Sequence, residues 1–483
     1  MLKFLTTALI GFLLSFCASE KNLVERIQAE GQLRVVTRYG PTTYYKGING
    51  EAGLEYDLAK KFAETLGVEL SLISSEKFSD ILPKVESKTV HFAAAGLSIT
   101  DERKTTVRFS PSYHKIMAQV AYKKKDKRPP KNLDKFTHEH VLHVVEGSSH
   151  ISSLTTLKET YPALTWKTVP TDSLDLLQQI LDEKIDYALV DSNILAHVRQ
   201  VSPELKRGLS LPKKQYLAWA FPRTEQDNSL YLAAIQFINR LRRSGELEVL
   251  IELYNGYIDT GRLAYVNTST FYRHVNKRLP KYRKYFEQVA TRYNMDWRLL
   301  AAMGYQESHW DKNAVSFTGV KGIMMLTNAA AKDLGIKDRT DPFQSISGGG
   351  LHFQQLKKRI KGNVLEPDLT WLALAAYNVG LGHIMDVRKL TRKRGGNANR
   401  WVDIKKNLPL LTKPYWYRQT RHGYARGYEP IRYVQNIRRY YELLKHMDAE
   451  KIHTPEPVTN NVTPSQVPAI PKRLHPENNT PML

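Results

Sequence analysis

A single glutamate stands at the end of a run of residues that otherwise has the pattern of a buried helix. In the run 297–307, Leu300, Met303 and Glu307 recur at spacings of three and four, so they share one helix face. A carboxylate on a core-facing stripe is costly unless it is paired or protonated. A carboxyl group in a dry cleft can act as an acid near neutral pH, so chemistry is one reason for this placement. The alternative is a helix-end glutamate that reaches solvent, as most glutamates do.

Motifs around and after Glu307 favour the catalytic interpretation. They are Glu307-Ser308-His309-Trp310, Gly322-Ile323-Met324-Met325-Leu326, Ala375-Ala376-Tyr377-Asn378-Val379-Gly380 and Tyr433-Val434-Gln435-Asn436-Ile437. Together, in this order, they resemble the catalytic domain of the soluble-type lytic transglycosylases, which cleave bacterial peptidoglycan. The resemblance covers residues 281–447 and implies a compact, lysozyme-like, all-α fold.

The same resemblance implies roles for single residues. Glu307 falls on the only catalytic carboxylate of the family and would give its proton to the oxygen between MurNAc and GlcNAc. It would then take the proton of the MurNAc C6 hydroxyl, which attacks C1 and leaves a 1,6-anhydro end without consuming water. Substrate contacts are expected from Ser308, Met324, Tyr377, Asn378 and Tyr433. Ser308 would orient the N-acetyl group or a water, and Tyr433 would contact Glu307. Such an enzyme is a lyase, and neither a cofactor nor a metal site is expected.

Two departures qualify this interpretation. A conventional glycosidase needs two carboxylates, and Asp311, four residues after Glu307, is the first candidate for the second one. A loop is predicted between them, so a single-carboxylate mechanism fits better. Many relatives carry glutamine at the position of Met325, so a polar sugar contact is expected to be absent here or to have moved.

The first half of the chain alternates strands with helices. Strands are predicted at 33–37, 68–73, 91–95, 141–145, 187–190 and 217–221, and a helix is predicted at 54–66. This alternation predicts two α/β lobes with mostly parallel sheets. Ligands in such sheets bind at the carboxyl ends of strands, so a hinged cleft between the lobes is expected.

Motifs in this half resemble the family-3 extracellular solute-binding proteins, which bind polar amino acids for uptake. They are Gly53-Leu54-Glu55-Tyr56-Asp57-Leu58-Ala59, Leu97-Ser98-Ile99-Thr100-Asp101-Glu102-Arg103 and Phe109-Ser110-Pro111-Ser112-Tyr113. The resemblance places the carboxylate-binding arginine at Arg103 and the acidic residue that holds an amino group at Asp191. It also places Ser149 in the ligand-binding element of the second lobe. The alternatives are a surface helix position for Arg103 and a helix N-cap for Asp191.

The chain is therefore predicted to be a multidomain protein. A signal peptide (1–19) precedes a two-lobed α/β domain like the periplasmic binding proteins (20–265). A short polar linker (266–280) leads to the all-α lysozyme-like domain (281–447). The tail (448–483) holds seven prolines between Pro455 and Pro481 and few large apolar residues, so disorder is expected there.

The N-terminus predicts export. Lys3 precedes an apolar run over 4–16 that is short for a membrane span. Either the leader is cleaved before Glu20, or Cys17 is lipidated in a box in which the large Phe16 fits poorly. Cys17 is the single cysteine, so no intrachain disulfide forms. The expected location is the periplasmic face of the outer membrane, held peripherally.

Net charge is +23, and residues 381–445 hold 16 Lys and Arg against 4 Asp and Glu. Such a surface attracts polyanions. An exported protein does not meet nucleic acid, so the acidic peptides of the cell wall and the outer membrane surface remain as the expected partners. The alternative is a solvated basic face without a specific partner. The sequence predicts a peptidoglycan lytic transglycosylase with a regulatory domain for an amino acid or muropeptide. Two other classes stay open: a solute-binding protein anchored to glycan strands by an inactive helical domain, and a nucleic-acid-binding protein.

Overall fold

The computed structural model describes residues 21–47, 50–123, 129–223, 226–256, 268–316, 319–360 and 362–453. The predicted signal peptide with Cys17, and the predicted tail from 454 onward, lie outside the described residues. The described chain has an α/β part up to residue 256 and a helical part from residue 268, and each part has its own apolar core.

Most strands of the α/β part belong to one sheet. The strands are β1 (Gln32–Arg38), β2 (Tyr45–Gly47), β3 (Gly50–Ala52), β4 (Glu69–Ser75), β5 (Phe92–Ser98), β6 (Val107–Phe109), β7 (His114–Lys123), β8 (Leu142–Val145), β9 (Trp166–Val169), β10 (Tyr187–Asp191) and β11 (Leu205–Pro222). In the described residues the sheet has the order β4-β1-β5-β11-β7-β10-β8-β9, with β6 on β11, while β2 and β3 form a separate hairpin.

Two parallel groups of strands form the lobes of this part. In the first group β1 pairs in parallel with β4 and β5, and in the second β8 pairs in parallel with β9 and β10. The antiparallel pair β7 and β11 joins them, and β11 runs for 18 residues across both lobes. Its register shifts between Arg207 and Lys214, where the pairing with β7 is irregular. This architecture confirms the predicted two-lobed α/β fold.

Helices cover the faces of the sheet. They are α1 (Leu23–Glu30), α2 (Leu54–Leu66), α3 (Ile81–Glu86), α4 (Ser149–Thr160), α5 (Ser173–Leu181), α6 (Ser192–Val201), α7 (Ser229–Ser244) and α8 (Glu246–Asn255). Helix α2 has the predicted bounds, because its buried face repeats at helical spacing through Leu58 and Phe62 and it ends at Gly67 with φ 73°. Short 3₁₀ turns lie at Phe78–Asp80, Arg103–Thr105 and Leu133–Lys135.

The helical part is built around one long helix. Its elements are α9 (Thr268–Lys277), α10 (Arg283–Arg292), α11 (Trp297–Ser308), α12 (Asn328–Asp333), α13 (Pro342–Arg359), α14 (Asp368–Val379), α15 (Leu381–Lys393), α16 (Trp401–Asn407), α17 (Pro414–Tyr417) and α18 (Tyr428–His453), with 3₁₀ turns at Leu279–Lys281 and Leu408–Thr412. Helix α18 packs along both α11 and α14. The all-α prediction for this region is confirmed.

Two predicted boundaries differ from the structure. The stretch predicted as a linker is helical over Thr268–Lys277, and Phe271 at 0% exposure belongs to the core of the helical part. The predicted tail begins too early, because α18 continues to His453 and Asp448 accepts a bond from Arg298 at 2.7 Å. The helical part therefore begins earlier and ends later in the sequence than the polar composition indicated.

The two parts meet at the C-terminal end of α8. Arg438 of α18 donates to the Glu252 carboxylate at 2.9 Å and to the backbone carbonyl of Leu253 at 3.1 Å. Gln435 donates to the carbonyl of Gly256 at 3.2 Å, and Lys405 pairs with Glu252 at 3.3 Å. Cationic side chains of the helical part thus cap the last carbonyls of α8, where the helix dipole is negative.

Candidate active site and ligand cleft

Helix α11 carries Glu307, which is half-buried, near its C-terminal end. Asp296 is the N-cap residue of this helix, and its carboxylate accepts the backbone N–H of Arg298 at 2.9 Å. Leu300 and Met303 are fully buried, as their spacing predicted. The helix ends at His309, whose φ of 52° turns the chain away, so Glu307 lies in the last turn.

The carboxyl group of Glu307 is held in a poorly solvated setting. The hydroxyl of Tyr433, a residue of α18 with 5% exposure, donates to Glu307 Oε1 at 2.5 Å. Burial raises the pKa of Glu307 from 4.5 to about 7, and the bond from Tyr433 acts in the opposite direction. A carboxyl group with this pKa is protonated in a large fraction of molecules at neutral pH, as a general acid must be.

Tyr377 of α14 lies beside this pair. Its ring stacks on that of Tyr433, with centroids 6.4 Å apart and planes at 14°. Its hydroxyl donates to the backbone carbonyl of Met324 at 3.0 Å. Burial, followed by the charge of Glu307, raises the pKa of Tyr377 well above the ordinary tyrosine value, so this hydroxyl stays protonated. Asn378 follows at the exposed end of α14.

Ser308, next to Glu307 in the sequence, and Met324, in the 322–326 loop, are both buried. The Ser308 hydroxyl donates to the carbonyl of Ile323 at 2.9 Å and ties the 322–326 loop to α11. Met324 is fully buried, and a Cβ built on Gly349 would lie 2.6 Å from its side chain. The Met324 side chain is therefore part of the core, and the substrate contact expected of this residue stays a prediction. Its carbonyl instead positions Tyr377.

Asp311 does not supply a second carboxylate to Glu307. Its Oδ1 accepts the backbone N–H of Asn313 at 3.0 Å, so it stabilises the turn after α11. The groups that act on the pKa of Glu307 are its own burial and Tyr433. The geometry therefore fits a site with one carboxyl group.

A second site lies between the lobes of the α/β part. It is lined by Arg38, Phe78, Gly96, Ser98, Arg103, Val145, Ser148, Ser149, His150, Ser173 and Asp191. All three residues predicted for ligand binding, Arg103, Asp191 and Ser149, line this cleft. The structure therefore brings them together across the two lobes.

Arg103 joins the two lobes rather than lying on a surface helix. It is 6% exposed, and its guanidinium donates to the carbonyls of Ser98 and Gly147, each at 2.9 Å. Ser98 ends β5 in the first lobe, whereas Gly147 follows β8 in the second. Burial lowers the pKa of Arg103 to about 10, which leaves the group charged at neutral pH.

Asp191 occupies the N-cap position of α6, but its side chain makes no cap bond. Its carboxylate accepts from His150 Nε2 at 2.9 Å and lies 3.9 Å from the guanidinium of Arg38. Burial opposes ionisation, but His150, Arg38 and Arg103 outweigh it and keep the pKa of Asp191 below its ordinary value. The alternative in which Asp191 only caps a helix is therefore wrong.

Several cleft residues were not predicted from the sequence. Arg38 and Arg103 both lie over the ring of Phe78, at 5.2 and 5.6 Å. The Ser148 hydroxyl and His150 Nδ1 are buried in the wall without a hydrogen-bond partner. Their one sequence signal is adjacency to Ser149. Two unsatisfied polar atoms on residues that line one cavity indicate a place for a polar ligand.

Within the described residues, no group of three or more His, Cys, Asp or Glu side chains is arranged to hold a metal ion. Among the same residues, none of the helices has the length and apolar character required to cross a membrane.

Comparisons with known proteins agree with this architecture. The model of the transglycosylase SLT domain matches residues 284–399, and that of the bacterial extracellular solute-binding proteins, family 3, matches residues 33–257. Fold and sites thus define a transglycosylase-type helical domain joined to a solute-binding domain.

Two relatives match most or nearly all of the chain. "Membrane-bound lytic murein transglycosylase F" of Pseudomonas fluorescens is 40% identical over 99% of this chain and 98% of its own. "Membrane-bound lytic murein transglycosylase F 1" of Alkalilimnicola ehrlichii is 45% identical over 88% of this chain and 85% of its own. The chain belongs to the family of the membrane-bound lytic murein transglycosylases F.

Among solved structures, an amino acid ABC transporter substrate-binding protein of Streptococcus pneumoniae bound to L-arginine is 25% identical to this chain. The match covers 49% of this chain and all of that one, with a TM-score of 0.43.

Proposed function

We propose that this chain cleaves the β-1,4 bond between MurNAc and GlcNAc in peptidoglycan without water and leaves 1,6-anhydro-MurNAc ends. The observation that carries this proposal is the single carboxyl group of Glu307, with a pKa of about 7 and a bond from Tyr433. Membership of the transglycosylase F family supports the same activity over a solute-binding protein that is merely anchored by an inactive domain.

Glu307 acts twice in this mechanism. In its protonated form it gives its proton to the glycosidic oxygen as the bond to C1 breaks. The resulting carboxylate then takes the proton of the C6 hydroxyl as that oxygen bonds to C1. Tyr433 stabilises the carboxylate between the two steps by donating to Oε1, and Tyr377 holds Tyr433 from the side. Asn378, exposed beside Tyr377, is the proposed contact to the sugar.

The proposal is tested by digesting purified sacculi in heavy-oxygen water and analysing the muropeptides by mass spectrometry. Anhydro ends without label are the expected product, because the attacking oxygen belongs to the sugar. Label at C1 of MurNAc would identify a hydrolase and overturn the mechanism. The Glu307→Gln variant should lose most of the release of anhydro-muropeptides. Asp333→Asn, which changes an exposed carboxylate on α12, is its control.

We further propose that the α/β part is a regulatory domain that binds an amino acid or a muropeptide in the cleft. Arg103 suits a carboxylate, and the unpartnered Ser148 hydroxyl and His150 Nδ1 offer further hydrogen bonds. Since Arg103 touches both lobes, a ligand there would change how they close. A ligand that binds one arrangement more tightly by about 1–3 kcal/mol changes activity several-fold or more.

Calorimetry with cell-wall peptides and amino acids tests this regulatory role. The parent is expected to bind and Arg103→Ala is expected to lose binding, whereas Arg243→Ala, an exposed arginine on α7, serves as the control. Equal binding by parent and Arg103→Ala would remove Arg103 from the site. Binding without any change in sacculus digestion would reduce the domain to a tether.

For location, we propose the periplasmic face of the outer membrane, with peripheral attachment and with Cys17 as the candidate lipid anchor. The names of the relatives describe those proteins as membrane-bound. Radiolabelled palmitate should enter the parent and be absent from Cys17→Ser if Cys17 is lipidated. If the parent takes up no label and salt alone releases it from membranes, its attachment would be electrostatic rather than through a lipid.

A further inference from the structure

A strongly basic and aromatic segment runs from just before α17 to the first residue of α18. Residues 413–428, here called the basic loop, contain no Asp or Glu, and their cations are Lys413, Arg418, Arg421 and Arg426. All four are exposed. Three tyrosines of the loop are also exposed, at 72%, 56% and 58% for Tyr415, Tyr424 and Tyr428. Large exposed rings beside cations are typical of a surface that binds a partner.

The basic loop is held in place by a buried carboxylate. Asp386 of α15 is 2% exposed. It accepts the backbone N–H of Arg421 at 3.3 Å, the backbone N–H of His422 at 2.8 Å and His422 Nδ1 at 2.9 Å. Arg394 covers the ring of Trp416 at 5.0 Å. These contacts fix the loop, so its cations are presented from a supported backbone and binding costs less conformational entropy.

Two residues of the basic loop, His422 and Tyr428, lie near elements of the active site. The ring of His422 lies on Gly382, where a Cβ would be only 2.7 Å from it, and Gly382 comes four residues after Asn378. Tyr428 begins α18 five residues before Tyr433, about 7.5 Å along the helix axis. The loop therefore lies beside the helices that carry Asn378 and Tyr433.

We propose that the basic loop binds the carboxylate-bearing peptides of the glycan strand next to the bond being cleaved. This inference rests on the proposed function and adds a preference among peptidoglycan strands. In peptide-bearing strands the negative charge lies on the peptides, because the lactyl carboxyl groups of the glycan are taken up in amide bonds. Charge complementarity therefore favours the peptides over the glycan as the group recognised by the loop.

The test compares two soluble substrates of equal length. One is a peptide-bearing glycan strand, and the other is the same strand with its carboxylates converted to amides by carbodiimide and ammonia. Arg418→Ala/Arg421→Ala is expected to lower kcat/KM about tenfold on the first substrate, mainly through KM, and less than about twofold on the second. The parent should lose a similar factor when the strand is amidated. Lys284→Ala/Arg292→Ala, two exposed cations on α10, is the matched control and should behave as the parent does.

Each other outcome overturns the inference. An equal loss on both substrates would assign the loop to the glycan or to the fold, which thermal unfolding of the double variant distinguishes. No loss on either substrate would leave the loop without a part in cleavage. Loss of binding to phosphatidylglycerol vesicles with unchanged kinetics would assign the loop to lipid. Absence of anhydro products from the parent on both substrates would instead refute the proposed function itself.

Discussion

Glu307→Gln is expected to stabilise the protein above neutral pH while removing its activity. Burial raises the pKa of Glu307 from 4.5 to about 7, so the folded state binds this proton more tightly than the unfolded chain does. The stability that this proton contributes is fully present below about pH 4.5 and is lost as the pH rises through about 7. Glutamine has no proton to lose, and its amide oxygen can still accept from Tyr433.

The size of the effect follows from the two pKa values. The gap between 4.5 and about 7 corresponds to about 3 kcal/mol at about 1.36 kcal/mol per unit. At pH 8 the variant should exceed the parent by nearly this amount, measured relative to their difference at pH 4. Loss of the general acid should reduce release of anhydro-muropeptides by about a hundredfold or more at every pH.

Urea unfolding of both proteins at pH 4, 6, 7 and 8, followed through the transition of the helical part, measures the difference. Other titrating groups are common to both proteins and cancel. Asp333→Asn, which changes an exposed carboxylate on α12, is the control variant. A parent and a Glu307→Gln variant whose stabilities run parallel from pH 4 to 8 would refute the raised pKa. Near-parental activity of the variant would refute the catalytic assignment.

Three further perturbations probe the supports of the site. Tyr433→Phe removes the hydrogen bond that lowers the Glu307 pKa, so the apparent pKa of the alkaline limb of the pH–rate profile should rise by about one unit while the maximal rate falls. Tyr440→Phe, which changes another buried tyrosine of α18, should leave this apparent pKa unchanged. Gly349→Ala places a methyl group within 2.6 Å of Met324, so thermal unfolding should show a loss of about 1–3 kcal/mol, and an unchanged Tm would contradict this packing. Arg438→Met removes one of the two described cations on Glu252 and leaves Lys405. The two parts should then separate at a lower urea concentration, with a loss of about 2 kcal/mol in the free energy of unfolding. A single transition at the parental urea concentration would contradict the role of Arg438 at the junction.

Features set by local spacing were predictable from the sequence. The buried stripe of α11, its Asp296 cap and the bounds of α2 depend on residues within a few positions of each other. The helix inside the predicted linker was not predicted, because its first residues, Thr268, Ser269 and Thr270, are polar. Phe271 and Val275, one turn apart, were the available signal for it.

Contacts between distant segments were not predictable in the same way. The sequence marks Asp191 as a charged residue after a strand, but its pairing with His150 depends on how β10 and α4 are brought together. Met324 lies in a recognisable motif, yet residue type does not tell whether its side chain or its carbonyl is used. The pKa of Glu307 likewise depends on burial by α14 and α18, which the order of motifs implies only through the family.

The arginine at the junction makes the helical half dependent on the other half. Arg438 is 2% exposed, lies 4.7 Å over Trp371 and fills its hydrogen bonds with the end of α8. A gene deletion that removed the front half would leave this guanidinium and the ring beneath it uncovered at once. The fusion is therefore hard to reverse in evolution, since the shortened enzyme would lose the partners of Arg438 and expose more of the Trp371 ring.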